Sequence, residues 1–390
     1  MSQVGTNGDD PVLPQDIITN ILVRLPVKSL IRFQCVCKPW KNLFKSSSFI
    51  AEHLQHSSLQ NLCLLLEDFG KYDPFQICLL DREMKVVQVP NDPFTNSMRW
   101  CVWTIDSCNG LLCVGMATFP RSLSLLVWNP ATRETRPVLR AVNYSEDEYF
   151  CVGFGFSPTL DDYKIVKVRV SEIDYLVNQV EVYSLSTGSW REVEFGNLDG
   201  VAIHSDGFTT NGAIFWIGLK LGVEEDEDDI NFIVSFDIAM ELFTLIPTPP
   251  SPFSVRTTSF PKYLTAYENK LAVLSDTLSG DSRSSLIHLW VMEEGTGTNR
   301  ERWSWTKKYT SNPYPDLFLI PITIWRNEIV CNVRSIDQVE DEVENDERKI
   351  VMFNLTTNEI KTHDIRKSAL GYGIFNHAES LVPIGNIHTE

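Results

Sequence analysis

The chain has 390 residues and a formal net charge of -17, which argues against binding nucleic acid through its phosphates. Hydrophobic residues make up 43% and charged residues 22%, the usage of a folded protein rather than a disordered one. No apolar run approaches the ~20 residues a membrane-spanning helix needs, so no membrane contact is expected.

The first ten residues are polar and acidic, without the basic flank and apolar core of a secretory signal, and a place in the cytoplasm, the nucleus or both is expected. Residues 1–12 read as a disordered tail. Of nine cysteines, Cys63, Cys78, Cys113, Cys151 and Cys331 sit in apolar runs, which fits buried free thiols in a reducing compartment. Cys35 and Cys37 stand too close together for a zinc knuckle, and the histidines show no metal-ligand spacing, so neither metal nor cofactor is expected.

Residues 13–54 read as short helices. Pro14 and Asp16 suit a first turn, and Ile17, Ile21, Leu22 and Leu25 follow at one-face spacing until Pro26 stops the helix. A second helix carries Leu30, Phe33 and Val36. Pro39 opens a third, with Trp40, Leu43 and Phe44, and Ser46-Ser47-Ser48 breaks it, Ser48 being placed to cap a last short turn through Leu54. A segment of roughly 40 residues is at the edge of independent folding, yet this one offers Leu13, Pro14, Ile18, Pro26, Phe33 and Trp40, more than such helices hide among themselves. Arg24, Lys28, Arg32, Lys38, Lys41 and Lys45 face only Asp16 and Glu52, so a short basic module precedes a long acidic one. Pattern alone leaves two uses for the apolar surplus: docking on a partner, or packing on the following domain.

The runs Leu13-Pro14-Gln15-Asp16-Ile17-Ile18, Ile21 to Leu30, Arg32-Phe33, Val36-Cys37-Lys38-Pro39-Trp40, Leu43 and Ser48-Phe49 resemble an F-box without gaps, Asp16 standing where that family more often has Glu. The resemblance implies binding to an acidic Skp-type adaptor, and through it to a cullin and a RING protein, in an SCF-type ubiquitin ligase. It makes Leu13, Pro14, Ile17, Ile18, Ile21, Leu22, Leu25, Pro26, Leu30, Phe33, Val36, Lys38, Trp40 and Leu43 the adaptor-binding set, with Leu13, Pro14, Pro26 and Trp40 as anchors.

Residues 55–390 read as a repeat array. Asp81, Asn129, Ser184, Asp237, Val291 and Asn354 each close a short apolar triplet, at spacings of 48 to 63 residues, close to the ~50 of a kelch-type propeller blade. Asn109-Gly110, Asp161-Asp162, Asn211-Gly212, Glu268-Asn269, Arg326-Asn327 and Ala378-Glu379 interleave with them as hairpin turns. Units of four antiparallel strands predict a mainly β chain: a helical F-box followed by a β-propeller. Five complete units and one shared by the two ends give six blades, with seven, or a pair of β-sandwiches, as alternatives. The shared blade is expected to take outer strands from 62–89 and a strand around Leu381-Val382-Pro383. Ser107 to Leu111, Trp128 to Arg133, Gly153 to Phe156, Asp162 to Val166 and Val182 to Leu185 resemble the F-box-associated interaction domain of plants, and with the F-box the resemblance covers nearly the whole chain.

Two acidic runs, Glu224-Glu225-Asp226-Glu227-Asp228-Asp229 and the stretch containing Glu342, Glu344, Asp346 and Glu347, each fall between the second and third strands of their units. That places them on one face, where they are candidates for holding a basic protein target, against the plainer reading as solvated loops. No P-loop, nucleophile elbow, metalloprotease helix or acid-base pair is present, so a non-catalytic receptor is expected. The competing functions are a propeller enzyme and a scaffold that uses its F-box outside any ligase.

Overall fold

The computed structural model describes residues 13–68, 76–88, 101–118, 122–143, 147–203, 205–220, 230–250, 263–278, 284–293, 303–314, 318–334, 348–365 and 370–385. Four helices come first: α1 (Gln15–Val23), α2 (Val27–Phe33), α3 (Lys38–Leu43) and α4 (Ser47–Gln60). Prolines set their starts, Pro14 and Pro26 standing at the N-caps of α1 and α2 and Pro39 inside the first turn of α3. Ser46, not Ser48, caps α4 by accepting the Phe49 amide at 3.4 Å. The expected last short turn is a helix of 14 residues running past residue 54 to Gln60.

Everything after α4 that forms regular sheet falls into six antiparallel sheets. In chain order, blade 1 has strands Cys101–Cys108, Leu111–Thr118, Ser122–Asn129 and Glu134–Asn143; blade 2 has Glu148–Ser157, Asp162–Ser171, Val177–Ser184 and Ser189–Glu192. Blade 3 opens with two short pieces, Val201–Ile203 and Phe208–Thr210, then Ala213–Lys220, Ile230–Asp237 and Leu242–Pro247. Blade 4 comprises Tyr263–Tyr267, Lys270–Leu278, Ser285–Glu293 and Ser304–Thr310; blade 5, Phe318–Trp325, Glu328–Arg334, Arg348–Asn354 and Ile360–Ile365. The sixth joins the chain's two ends: Leu370–His377 pairs with Cys63–Asp68, which pairs with Gln76–Leu80 and then Val86–Gln88. The protein is a six-bladed β-propeller preceded by a helical module. One apolar core lies between each pair of neighbouring blades, as Leu64, Leu66, Trp325 and Val330 do between blades 5 and 6 and Leu65, Val102, Leu112 and Trp128 between blades 6 and 1. Strands covered on both sides this way carry continuous apolar runs rather than strict alternation.

Both repeating sequence markers have a physical cause. Asn109-Gly110, Asn211-Gly212, Glu268-Asn269 and Arg326-Asn327 have positive φ at both residues, the conformation that matches a two-residue hairpin to strand twist. The other marker ends the third strand of a blade with a side chain that accepts from the following turn. The Asn129 amide oxygen takes the Ala131 and Thr132 amides at 3.0 and 3.2 Å, Asp237 takes Ala239 and Met240 at 2.8 Å, and Asn354 takes Thr356 and Thr357 at 3.0 and 2.9 Å. Asp81 does the same for Glu83 and Lys85. Val291 breaks the rule because its strand continues to Glu293.

Two expectations about closure need correction. The C-terminal strand of blade 6 is Leu370–His377, and Leu381, Val382 and Pro383 form no strand. Ala378 and Glu379 are absent from the positive-φ turns, since the chain leaves the sheet there and the N-terminal strand Cys63–Asp68 takes the place of a second strand.

The break in blade 3 sends a loop inward. Asp206 is half-buried there, one carboxylate oxygen accepting the Trp103 indole N–H of blade 1 at 2.9 Å and the other the Val152 amide of blade 2 at 2.8 Å. Asp106 accepts the Ser107 amide at 2.7 Å and the Thr209 amide at 3.0 Å, and Glu67 accepts the Thr104 amide across the blade 6–blade 1 seam. Burial pushes these carboxyls up, Asp206 to about 6, Glu67 to about 7 and Asp106 to about 8. Burial likewise holds His377 down, to about 4, with its Nδ1 3.2 Å from the Ser107 hydroxyl. Three acids, Glu67 and Asp106 buried and Asp206 half-buried, thus tie different blades together by accepting backbone and indole N–H groups.

Candidate docking surfaces

The helical module splits its apolar residues between two faces. Leu22, Val23, Val27, Leu30, Phe44 and Phe49 are buried and pack together. Leu22 and Leu30, expected among the adaptor contacts, are 2% and 0% exposed, so they hold the helices together and face no solvent. Ile18, Leu25, Phe33, Trp40 and Leu43 are half-buried against that core. Trp40 is held between Phe33 and Phe44, ring centroids 5.6 and 6.3 Å away, which fixes its orientation while leaving part of it in solvent. His53 also braces this core: its Nε2–H donates to the Leu25 carbonyl at 3.0 Å, and burial keeps its pKa low.

A second set of residues, mostly apolar, is open to solvent. Leu13 is 54% exposed, Ile17 47%, Ile21 51% and Val36 63%, with Pro14, Pro26 and Lys38 also exposed. Ile17 and Ile21 are four residues apart on α1 and so share one side of it, one turn beyond Leu13. Arg24, Lys28, Arg32, Lys38, Lys41 and Lys45 are all exposed around this module. Large aliphatic groups rimmed by cations form a surface suited to a partner that is acidic and has its own apolar contact residues.

Contact with the propeller comes from the rear. The Val27 amide donates to the Glu379 carboxylate at 3.1 Å, and Leu381 completes the helical core. The Arg326 guanidinium donates to the Gln60 and Leu62 carbonyls at 2.9 and 3.1 Å, and the Trp325 indole also donates to Leu62 at 3.1 Å. Glu379 and Leu381 follow the first strand of blade 6, Arg326 lies in the first hairpin of blade 5, and Ala131, which packs on the module, lies in the last hairpin of blade 1. All belong to the face built from first-to-second and third-to-fourth hairpins. Of the two alternatives left open by sequence pattern, packing on the following domain is seen here, while Leu13, Ile17, Ile21 and Val36 stay exposed.

The far face carries the second-to-third connections. The blade 2 connection is braced by Ser171, whose hydroxyl accepts the Ile173 and Asp174 amides, and by Asp174, which accepts the Leu176 amide. It presents Ile173, 76% exposed, and Tyr175, 44% exposed with φ 59, beside exposed Asp147, Glu172 and Asp174. Sequence reasoning passed over this tip, because two apolar residues in a short acidic loop break no pattern. The candidate target-binding residues Glu224 to Asp229 and Glu342, Glu344, Asp346 and Glu347 lie outside the described residues. The pairs Lys220↔Ile230 and Asn332↔Ile350 place the strand ends that lead into those segments on this far face. Among the described residues, no group of three His, Cys, Asp or Glu is placed to hold a metal ion, and no helix is long and apolar enough to cross a membrane.

Comparison with known families matches this division of the chain. An F-box domain model matches residues 11–52, and a model described as the F-box associated beta propeller domain matches residues 63–384. The chain belongs to the F-box-associated β-propeller family. Among its relatives in Arabidopsis thaliana, a protein named for an F-box is 30% identical over 63% of this chain and 64% of that one. An F-box/kelch-repeat protein from the same plant is 25% identical over 75% of this chain and 74% of its own length. Solved structures align more loosely; a polysaccharide lyase, at TM-score 0.41 and 10% identity over 73% of this chain and 70% of that one, has no bearing on this F-box protein's activity.

Proposed function

We propose that this F-box protein is the target-recognition subunit of an SCF-type ubiquitin ligase. Its helical module binds a Skp-type adaptor, which brings the cullin and the RING protein, and its propeller holds a protein target for ubiquitination and degradation. The observation that carries the reading is the open apolar face of Leu13, Pro14, Ile17, Ile21 and Val36 on a module whose other side is already packed. The half-buried residues Trp40, Phe33 and Leu43 and the exposed Pro26 and Lys38 complete the adaptor set; Leu22 and Leu30 support it from within. The blade spacing favours a kelch-like description of the ring.

The receptor performs no bond chemistry of its own on this reading. It raises the local concentration of target lysines beside a ubiquitin-charged enzyme, in the cytoplasm, the nucleus or both. The two acidic runs belong to segments that join strands on the far face, which favours a basic protein as the target.

The test is association of purified full-length protein with a Skp-type adaptor at low salt, wild type against Leu13→Ala/Pro14→Ala. Truncating two exposed anchors is expected to weaken binding by about tenfold or more. A wild-type protein that does not bind the adaptor would end the receptor reading.

A further inference from the structure

The chain does not stop being structured where blade 6 closes. Residues 378–385 form no strand, yet each of several makes a specific contact at the junction of the two modules. The Glu379 carboxylate receives the Val27 amide at the start of α2. Leu381, 7% exposed, inserts among Leu22, Val27, Leu30 and Phe49. The Ser380 and Val382 carbonyls both accept from the Asn129 side-chain amide, at 3.1 and 2.9 Å. Further along, the Ile384 carbonyl accepts from Arg136 at 3.1 Å and its amide donates to Glu134 at 3.3 Å. The segment is therefore fastened to blade 1 by four hydrogen bonds and to the F-box by a side chain and a carboxylate.

A second fastening sits elsewhere on the ring. Arg326 and Trp325 of blade 5 hold the carbonyls of Gln60, the last residue of α4, and of Leu62 just past it. Carbonyls past a helix end lack intrahelical donors, and a guanidinium satisfies them with favourable charge. Two separated attachments, one through α2 and one through α4, remove the hinge that a lone linker at Asn61 would leave.

We propose that residues 378–384 are a positioning strap, with Glu379 and Leu381 as its positioning residues and Arg326 as the counter-clamp, which fixes the propeller's orientation relative to the adaptor. Neither Glu379 nor Leu381 lies on the open face of Leu13, Ile17 and Ile21, so their effect is on the aim of the complex rather than on its assembly. The inference rests on the receptor reading above. In a ligase, which lysines are modified depends on where they are held, so a looser joint spreads ubiquitin over more acceptors.

The test needs no known target, because the receptor's own exposed lysines, among them Lys85, Lys220, Lys270, Lys349 and Lys361, serve as acceptors. Full-length wild type, Glu379→Ala, Glu379→Ala/Leu381→Ala and Arg326→Ala are each assembled with the Skp-type adaptor, cullin, RING protein, charged conjugating enzyme and ubiquitin. Modified lysines are mapped by mass spectrometry, and amide exchange of α2 is followed in parallel. The double variant is expected to keep adaptor affinity within about threefold, while the share of ubiquitin on its most-used lysine falls about twofold or more. Should the double variant unfold, the single Glu379→Ala variant, which leaves the core intact, is expected to change the map in the same direction. An unchanged map in folded variants, even with a lowered melting temperature, would overturn the strap, since packing alone moves stability and not site choice. Failure of wild type to bind the adaptor would instead count against the receptor reading on which the strap depends.

Discussion

Asn129 offers a sharp test of how the ring and its strap are held. Its side chain is fully buried and uses all four of its hydrogen-bonding positions: the oxygen accepts the Ala131 and Thr132 amides, and the nitrogen donates to the Ser380 and Val382 carbonyls. Asn129→Ala leaves four backbone groups without partners. At a net 0.5–1.5 kcal/mol each the loss spans about 2–6 kcal/mol, and because water reaches the turn at Ala131 and Thr132 the lower half of that range, about 2–4 kcal/mol, is expected. Asn129→Asp separates this mechanism from simple loss of volume. The aspartate keeps the accepting oxygen but sets a second oxygen, charged, against two carbonyls, so it is expected to be at least as damaging as alanine. Urea denaturation followed by tryptophan fluorescence at pH 7 measures both. An alanine variant within about 0.5 kcal/mol of wild type, or an aspartate variant clearly more stable than the alanine one, would refute the assignment.

Other outcomes follow from the same structure. Gly110→Ala is expected to cost about 1–3 kcal/mol, read as a fall in denaturation midpoint, because φ is +79 there and a Cβ would lie 2.3 Å from the Ser380 side chain and 2.5 Å from the Ala378 carbonyl. Stability is expected to decline between pH 6.5 and 8.5: burial raises Glu67 to about 7 and Asp106 to about 8, so the native state keeps protons that the unfolded chain has already lost. His53 and His377, whose pKa values burial lowers, add nothing above pH 6.5 and lose their contribution only as pH falls below it. Denaturation midpoints that are flat or rising across that window would contradict the prediction. Once a target is in hand, replacing the acidic residues of 224–229 and 342–347 with their amides is expected to weaken capture and flatten its dependence on salt.

Much of the architecture could be read from the residues because two turn chemistries repeat. Asn-Gly and related pairs need positive φ, and Asn or Asp at a strand end accepts from the next turn; both demands fall on a few residue types at fixed places. The ring's closure was harder to read. Ala378-Glu379 stands where a hairpin belongs, yet the strand that pairs with Leu370–His377 comes from residues 63–68, and a local pattern carries no information about so distant a partner. The F-box posed a different difficulty. Ile17, Ile21, Leu22 and Leu30 are all aliphatic and all fit the motif, but only the packed helices separate the exposed Ile17 and Ile21 from the buried Leu22 and Leu30. Asp206 gave no signal at all, since an aspartate in a loop looks the same whether it faces water or pins two blades.

The contact between Val27 and Glu379 spans 352 positions along the chain. During translation the helices leave the ribosome long before the leucine that finishes their interior, Leu381. Nascent chains that stall in a late blade therefore present an incomplete helical module together with an unpaired strand at residues 63–68, a species exposed to chaperones and proteases. The order of synthesis makes the segment that follows blade 6 a check on the soundness of the helices made before it.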